Sequence, residues 1–232
     1  MEKRAFTLAE TLITLGIIGV VAALTIPTLI QSYKKREIET SLQKIYSTVN
    51  QAIKRAELDY GEYESWEFTS NASNVFEQYF IPYLNINKVE PYKNVYGPCD
   101  GRRMYLADGS LLIGRACNFF GYWIDFCYYP KAKNWISKDT NTGCINADFG
   151  KSSFSFLFST NLKNMPGMKA IIGSPFMPYV GSDVKEAITA ETLTNPKYVY
   201  ACNKESSTPR QCTALIMLNN WKIPDDYPFR LK

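Results

Sequence analysis

From Thr11 to Ile30 the chain carries twenty consecutive residues without a charge, and this run limits its fold more than any other feature. As a helix rising about 1.5 Å per residue it spans about 30 Å, the thickness of a bilayer core. A helix that is apolar on all sides needs lipid or other helices around it. Thr7, Thr11, Thr14, Thr25 and Thr28 recur along this stretch, Gly16 and Gly19 lie inside it, and Pro27 stands near its far end. Each glycine weakens a helix by about 1 kcal/mol in water, and Pro27 removes one backbone hydrogen bond. Such a helix can insert and can also loosen or bend. Glu10 sits at the near edge, where burial in hydrocarbon costs about 2.5–3.5 kcal/mol unless the carboxylate is paired or protonated. A partner for Glu10 is therefore expected.

The chain's 232 residues leave room for one domain of ordinary size beyond that helix. The 26 Lys and Arg against 22 Asp and Glu leave a net charge of +4, too little for the dense phosphate contacts of a dedicated nucleic-acid binder. Histidine is absent, which removes Ser-His-Asp and Cys-His catalysis and every metal site that needs an imidazole. Carboxylate pairs remain as acid–base chemistry, with Asp125, Asp139 and Asp148 available. Nothing in their spacing selects a site, so an enzyme is not expected.

Cys99, Cys117, Cys127, Cys144, Cys202 and Cys212 form an even set without a C-x-x-C pair, which favours three disulfides in an oxidising compartment over zinc or redox motifs. Cys202 and Cys212 enclose a polar loop that a disulfide would close. Cys99 with Cys117 and Cys127 with Cys144 are the pairs expected of the rest, although six cysteines allow about fifteen full pairings.

Ahead of the uncharged run, Lys3 and Arg4 are followed by Ala5, Phe6, Thr7, Leu8, Ala9 and Glu10. This segment resembles the prepilin leader of type IV pilins and type II secretion pseudopilins, and Pro27 matches the family's helix-bending proline. The resemblance implies that a prepilin peptidase and methyltransferase cuts between Ala5 and Phe6 and methylates the amine of Phe6. Glu10, fifth from Phe6, would then pair with the amine of a neighbouring subunit and set the register between helices. Ala5 stands where the family usually has glycine. The implied organisation is a leader over 1–5, a transmembrane and assembly helix over 6–30, and an extracytoplasmic pilin-like domain over 31–232. The implied function is a structural subunit of a type IV pilus-like or secretion pseudopilus filament. Its implied setting is the bacterial inner membrane, crossed once, with a periplasmic or extracellular filament after assembly. The implied partners are other pilin or pseudopilin subunits, the processing enzyme, the inner-membrane assembly platform and, before assembly, the lipid bilayer.

Two other readings of the N-terminus compete. A secretory signal peptide would use Leu12 to Val21 as its apolar core and Ala23 before the cut, but Glu10 interrupts its start. A plain signal anchor would stay embedded. Lys3 and Arg4 on one side and Lys34, Lys35 and Arg36 on the other leave the positive-inside rule undecided. Either reading would make the chain a secreted or signal-anchored binding protein that does not polymerise.

Beyond the run, Ile38, Leu42, Ile45, Val49, Ala52 and Ala56 repeat at spacings of four and three, which predicts that the helix continues to about Leu58 with one stripe covering a sheet. Asn71 to Leu84 reads as a second helix ended by Pro82. Asp108, Gly109 and Ser110 predict a hairpin between Met104–Ala107 and Leu111–Gly114, with Asp108 as turn chemistry. Phe119 to Tyr129 suits a buried strand rather than a stacking surface for nucleic acid beside Lys131 and Lys133. Phe154, Phe156 and Phe158 alternate as on a sheet face; with Asp148 and Gly150, Phe154 and Phe156 resemble a pattern frequent in pseudopilins. Some major pseudopilins hold calcium nearby, and Asp139, Asn141, Asn146 and Asp148 offer suitable oxygens, but their spacing does not match an EF-hand and turn capping is favoured; no other cofactor or metal is implied. Residues 160–196 read as an irregular excursion, Thr213 to Leu218 as a strand, and Trp221 to Pro228 as an exposed tail. The expected fold is α+β: a long membrane-inserting helix whose far half packs on a small antiparallel sheet, stabilised by disulfides.

Overall fold

The computed structural model describes residues 7–66, 74–93, 99–117, 123–136, 143–161, 174–181, 184 and 186–232, with the side chains of Lys93 and Cys117 left aside. The first element, α1 (Leu8–Tyr60), has 53 residues and runs through Pro27 without interruption. The chain divides into two compact units, Met1–Glu37 and Ile38–Lys232. In the second unit α1 buries Ile38, Leu42, Ile45, Val49, Ala52, Ile53 and Ala56, the stripe that the four-three spacing predicts. Gly61 ends the helix at φ +79°, a left-handed conformation open to glycine, and its N–H bonds the carbonyl of Glu57 at 2.9 Å.

A short helix, α2 (Asn74–Tyr79), follows, and Ile81–Tyr83 tightens into a 3-10 turn. Pro82 has no N–H to donate to the carbonyl of Gln78, so the α-helical hydrogen-bond ladder cannot continue through it. Residues 71–73, the expected start of this helix, lie outside the described set.

Six strands then form one antiparallel meander in sequence order. They are β1 (Ile86–Lys93), β2 (Cys99–Leu106), β3 (Leu111–Cys117), β4 (Trp123–Tyr129), β5 (Phe154–Ser159) and β6 (Phe176–Pro178). The β2–β3 turn has Gly109 at φ +84°, and Asp108 accepts from the N–H and hydroxyl of Ser110 at 3.0 and 2.6 Å. This is the turn chemistry expected of Asp108. On the face toward α1 the sheet presents Met104, Leu112, Ile124, Phe126, Phe154, Phe156, Phe158 and Phe176, which share one core with the helix stripe and α2. Gly114 makes room for α2 there: a Cβ on it would lie 2.2 Å from the Phe76 ring. The opposite face is covered as well, by clusters around Ile113, Cys127, Tyr129 and Phe149 and around Leu157 and Met177. All six residues of β5 are therefore buried, where alternation alone implied only one covered face.

Edge strand β6 falls inside the expected irregular excursion, and its outer edge is paired by a side chain of α1. Asn50 donates to the carbonyl of Phe176 at 3.0 Å and accepts its N–H at 3.3 Å, while Ser174 also bonds the Asn50 amide oxygen. One amide thus replaces a neighbouring strand. Later in the same stretch, α3 (Ala190–Thr194) is capped reciprocally by Thr189 and Thr192.

Two expectations are corrected. Thr213 to Leu218 is not a strand but lies in helix α4 (Cys212–Leu218), whose residues Cys212 to Ile216 are all buried. The tail after Trp221 is not free: Glu39 of α1, 4% exposed, accepts the Ile223 N–H at 2.9 Å and pairs with Lys222 at 3.0 Å. Farther along, the Tyr227 hydroxyl donates to the Gly150 carbonyl at 2.8 Å and Leu231 is buried. Buried backbone of this kind must find partners, and an α1 carboxylate supplies one.

Candidate functional site

Among the described residues, the part of the chain with no covering of its own is the first half of α1. Its apolar side chains are exposed around the whole circumference, with Leu8 at 79%, Leu24 at 73% and Leu29 at 69%. The helix is long and apolar enough to cross a membrane. Three of its hydroxyls are satisfied from within: those of Thr11, Thr14 and Thr25 donate to the carbonyls of Thr7, Glu10 and Val21, four residues back. Back-bonding of this kind lets threonine enter an apolar medium with its hydroxyl paired.

Glu10 is engaged locally. Its carboxylate accepts the backbone N–H of Thr7 at 2.9 Å and the Thr7 hydroxyl at 2.8 Å, while the Glu10 N–H reaches the Thr7 hydroxyl oxygen at 3.3 Å. This is a capping box that closes the first turn of α1. The T-x-x-E spacing of Thr7 and Glu10 was the signal for it, and the apolar reading of the run passed over it. Ala5 and Phe6, the expected cleavage and methylation positions, lie outside the described residues. At Gly16 and Gly19 an added Cβ would meet nothing within 4 Å, so no contact within the chain calls for glycine there.

The cysteines gather on the sheet and its C-terminal flank. Cys127 is bonded to Cys144 and Cys202 to Cys212. Cys99 is disulfide-bonded, and the register sets it opposite Cys117, whose side chain lies outside the described set. The Cys202–Cys212 bond joins the end of a loop to the first residue of α4 and lies against the turn at Gly150. There φ is +73° and an added Cβ would come within 2.9 Å of the Cys212 sulfur. Turn geometry thus calls for glycine at Gly150.

Of the carboxylates named from the sequence, the two that are described, Asp125 and Asp148, have separate partners. Asp139 and Asn141 lie outside the described residues. Asn146 is exposed in a 3-10 turn. Asp148 accepts from the Tyr129 hydroxyl at 3.2 Å and faces the Lys232 ammonium at 3.4 Å. Among the described residues no group of three or more acidic or cysteine side chains could hold a metal.

Asp125 lies elsewhere, on the sheet face away from α1, between two arginines. Arg115 reaches it at 2.5 Å and Arg210 at 3.0 Å. Burial raises the Asp125 carboxyl, but Arg210 and then Arg115 outweigh it and hold it below the usual carboxylate range. Arg210 also donates to the Ser155 hydroxyl at 3.0 Å and stacks 3.7 Å from the Tyr179 ring centroid. It thereby fastens the Cys202–Cys212 loop to the sheet, a role that nothing in the spacing of Asp125 announced. The rings of Phe126, Tyr128 and Tyr129 are buried and offer no stacking surface.

A groove of about 240 Å³ lies between α1 and the β2–β3 turn, lined by Lys44, Thr48, Asn85, Leu106, Asp108 and Tyr128. It is smaller than the usual ligand pocket of about 300–1,000 Å³. The ion pair of Lys44 with Asp108, at 2.6 Å, lies along it.

No curated protein and no solved structure matches the chain. One family model matches residues 28–231, from just after Pro27 almost to the C-terminus. On that match the chain belongs to a family of unknown function, DUF6613.

Proposed function

We propose that this chain is a structural subunit that inserts in the bacterial inner membrane by the first half of α1 and assembles through the same segment into a pilus-like or pseudopilus-like filament. The observation that carries this reading is the change of surface within one helix. From Leu8 to Ile30 its apolar side chains are exposed on every side, whereas from Ile38 onward a single stripe is buried in the domain. A stripe suffices for a domain, but all-round apolarity calls for lipid before assembly and other helices after it.

In this reading a prepilin peptidase cuts before Phe6 and frees an amine. Glu10 then exchanges its contact with Thr7 for the amine of a neighbouring subunit. In a low-dielectric bundle that pair is strong, and a register error leaves two charges unmatched. Gly16 and Gly19, open on all sides, let a neighbouring helix approach closely, and Pro27 gives the rod a point of flexure. The globular domain stays outside the cytoplasm, where its disulfides form.

The test is Glu10→Ala in the native envelope. The variant is expected to be processed, folded and membrane-inserted yet to give no filaments by electron microscopy. A normal filament yield would overturn the assembly role of Glu10.

A further inference from the structure

Lys34, Lys35 and Arg36 follow the uncharged run within α1, and assembly through Glu10 gives them no role. They also stand at the opposite end of the span from Lys3 and Arg4, so they do not help set its orientation. Successive helical residues turn by about 100°, so three in a row fan over about 200° of the circumference. A single protein surface lying along one side of the helix cannot meet all three at once. Before assembly a headgroup layer surrounds the spanning helix and can. Arg36 is exposed and both lysines are partly exposed. Tyr33, 68% exposed, immediately precedes them, and an exposed tyrosine at the end of an apolar span suits the boundary between hydrocarbon and water.

We infer that Lys34, Lys35 and Arg36 form a collar that binds the phosphate groups of anionic phospholipids where α1 leaves the bilayer. The inference rests on the membrane-inserted reading above. The lysine stems lie along the apolar boundary with their ammonium groups among the headgroups, and the Arg36 guanidinium offers a fork that matches phosphate oxygens. Glu37 follows and offsets part of the charge. Each cation near an anionic surface raises partition roughly fivefold. The collar therefore selects anionic over zwitterionic lipid by about tenfold or more.

The full chain, inserted in bilayers of equimolar phosphatidylcholine and phosphatidylglycerol, is first washed with alkaline carbonate and then released for native mass spectrometry. The chain is expected to stay in the bilayer and to carry phosphatidylglycerol over phosphatidylcholine by about tenfold. The preference falls as salt rises, and it falls toward parity in the triple variant Lys34→Gln, Lys35→Gln, Arg36→Gln, which still resists carbonate. Equal retention of the two lipids, or an unchanged preference in the triple variant, would overturn the collar while leaving insertion intact. Release by carbonate would overturn the spanning reading and the collar with it.

Discussion

At the scale of single residues, three carboxylates that look alike in the sequence do three different things. Asp108 closes a turn, Glu39 holds the tail, and Asp125 joins two arginines across the sheet. Replacing Asp125 by Asn leaves Arg210, buried to 11% exposure, without a counter-charge. The expected loss is about 3 kcal/mol in denaturant unfolding of the domain. The pH dependence carries a sign. Because the folded carboxyl is held low, its contribution is complete above about pH 4, the unfolded value, and is lost as pH falls below that toward the lowered folded value. The wild-type domain should lose stability there, and Asp125→Asn should lose less. Equal acid sensitivity in both would contradict the cluster's role. At Glu10 the first-turn cap predicts that Thr7→Ala speeds amide hydrogen exchange over the first turn of α1 in detergent, because the Thr7 hydroxyl both donates to the Glu10 carboxylate and accepts the Glu10 N–H.

At the scale of elements, legibility followed local pattern. The buried stripe of α1 was readable because one sequence period meets one covered face. The β2–β3 hairpin was readable because Asp-Gly supplies its own turn geometry. The strand β1 gave little signal: Asn87, Lys88, Glu90 and Pro91 dilute its apolar pattern, as suits an edge strand. Helix α4 was misread as a strand because CTALIML is buried almost throughout, and a short apolar run has no period to tell helix from strand. The tail was misread because its polar composition hid Ile223 and Leu231, and the backbone of Ile223 is held by Glu39, 184 residues away. Of the candidate site, the apolar run and its length were legible, whereas the Thr7–Glu10 cap needed attention to a four-residue spacing. Two predictions belong here. Gly114→Ala should cost about 1–3 kcal/mol, since the methyl group meets Phe76, and a chemical melt reads the loss. The double variant Cys202→Ser, Cys212→Ser opens a loop of sequence separation 10 and should cost about 2–3 kcal/mol. The rest of the loss is limited because Arg210 still holds the loop to the sheet.

For the whole molecule, the account divides the chain's tasks between its two units. The unit from Ile38 to Lys232 carries the sheet, the disulfides and the buried ionic cluster, and Leu8 to Ile30 carry the exposed apolar surface. A chain beginning at Glu37 is therefore expected to be soluble and monomeric by sedimentation and to unfold cooperatively, whereas the full chain partitions into membranes. The central claim, however, concerns what the cell does to the N-terminus. Peptide mass spectrometry of the N-terminus on protein from its native envelope tests it most directly. The account predicts a mature chain that starts at Phe6 with a methylated amine and keeps the whole uncharged run. A mature chain starting at Leu24, or one retaining Met1 uncut, would contradict assembly through a processed N-terminal helix.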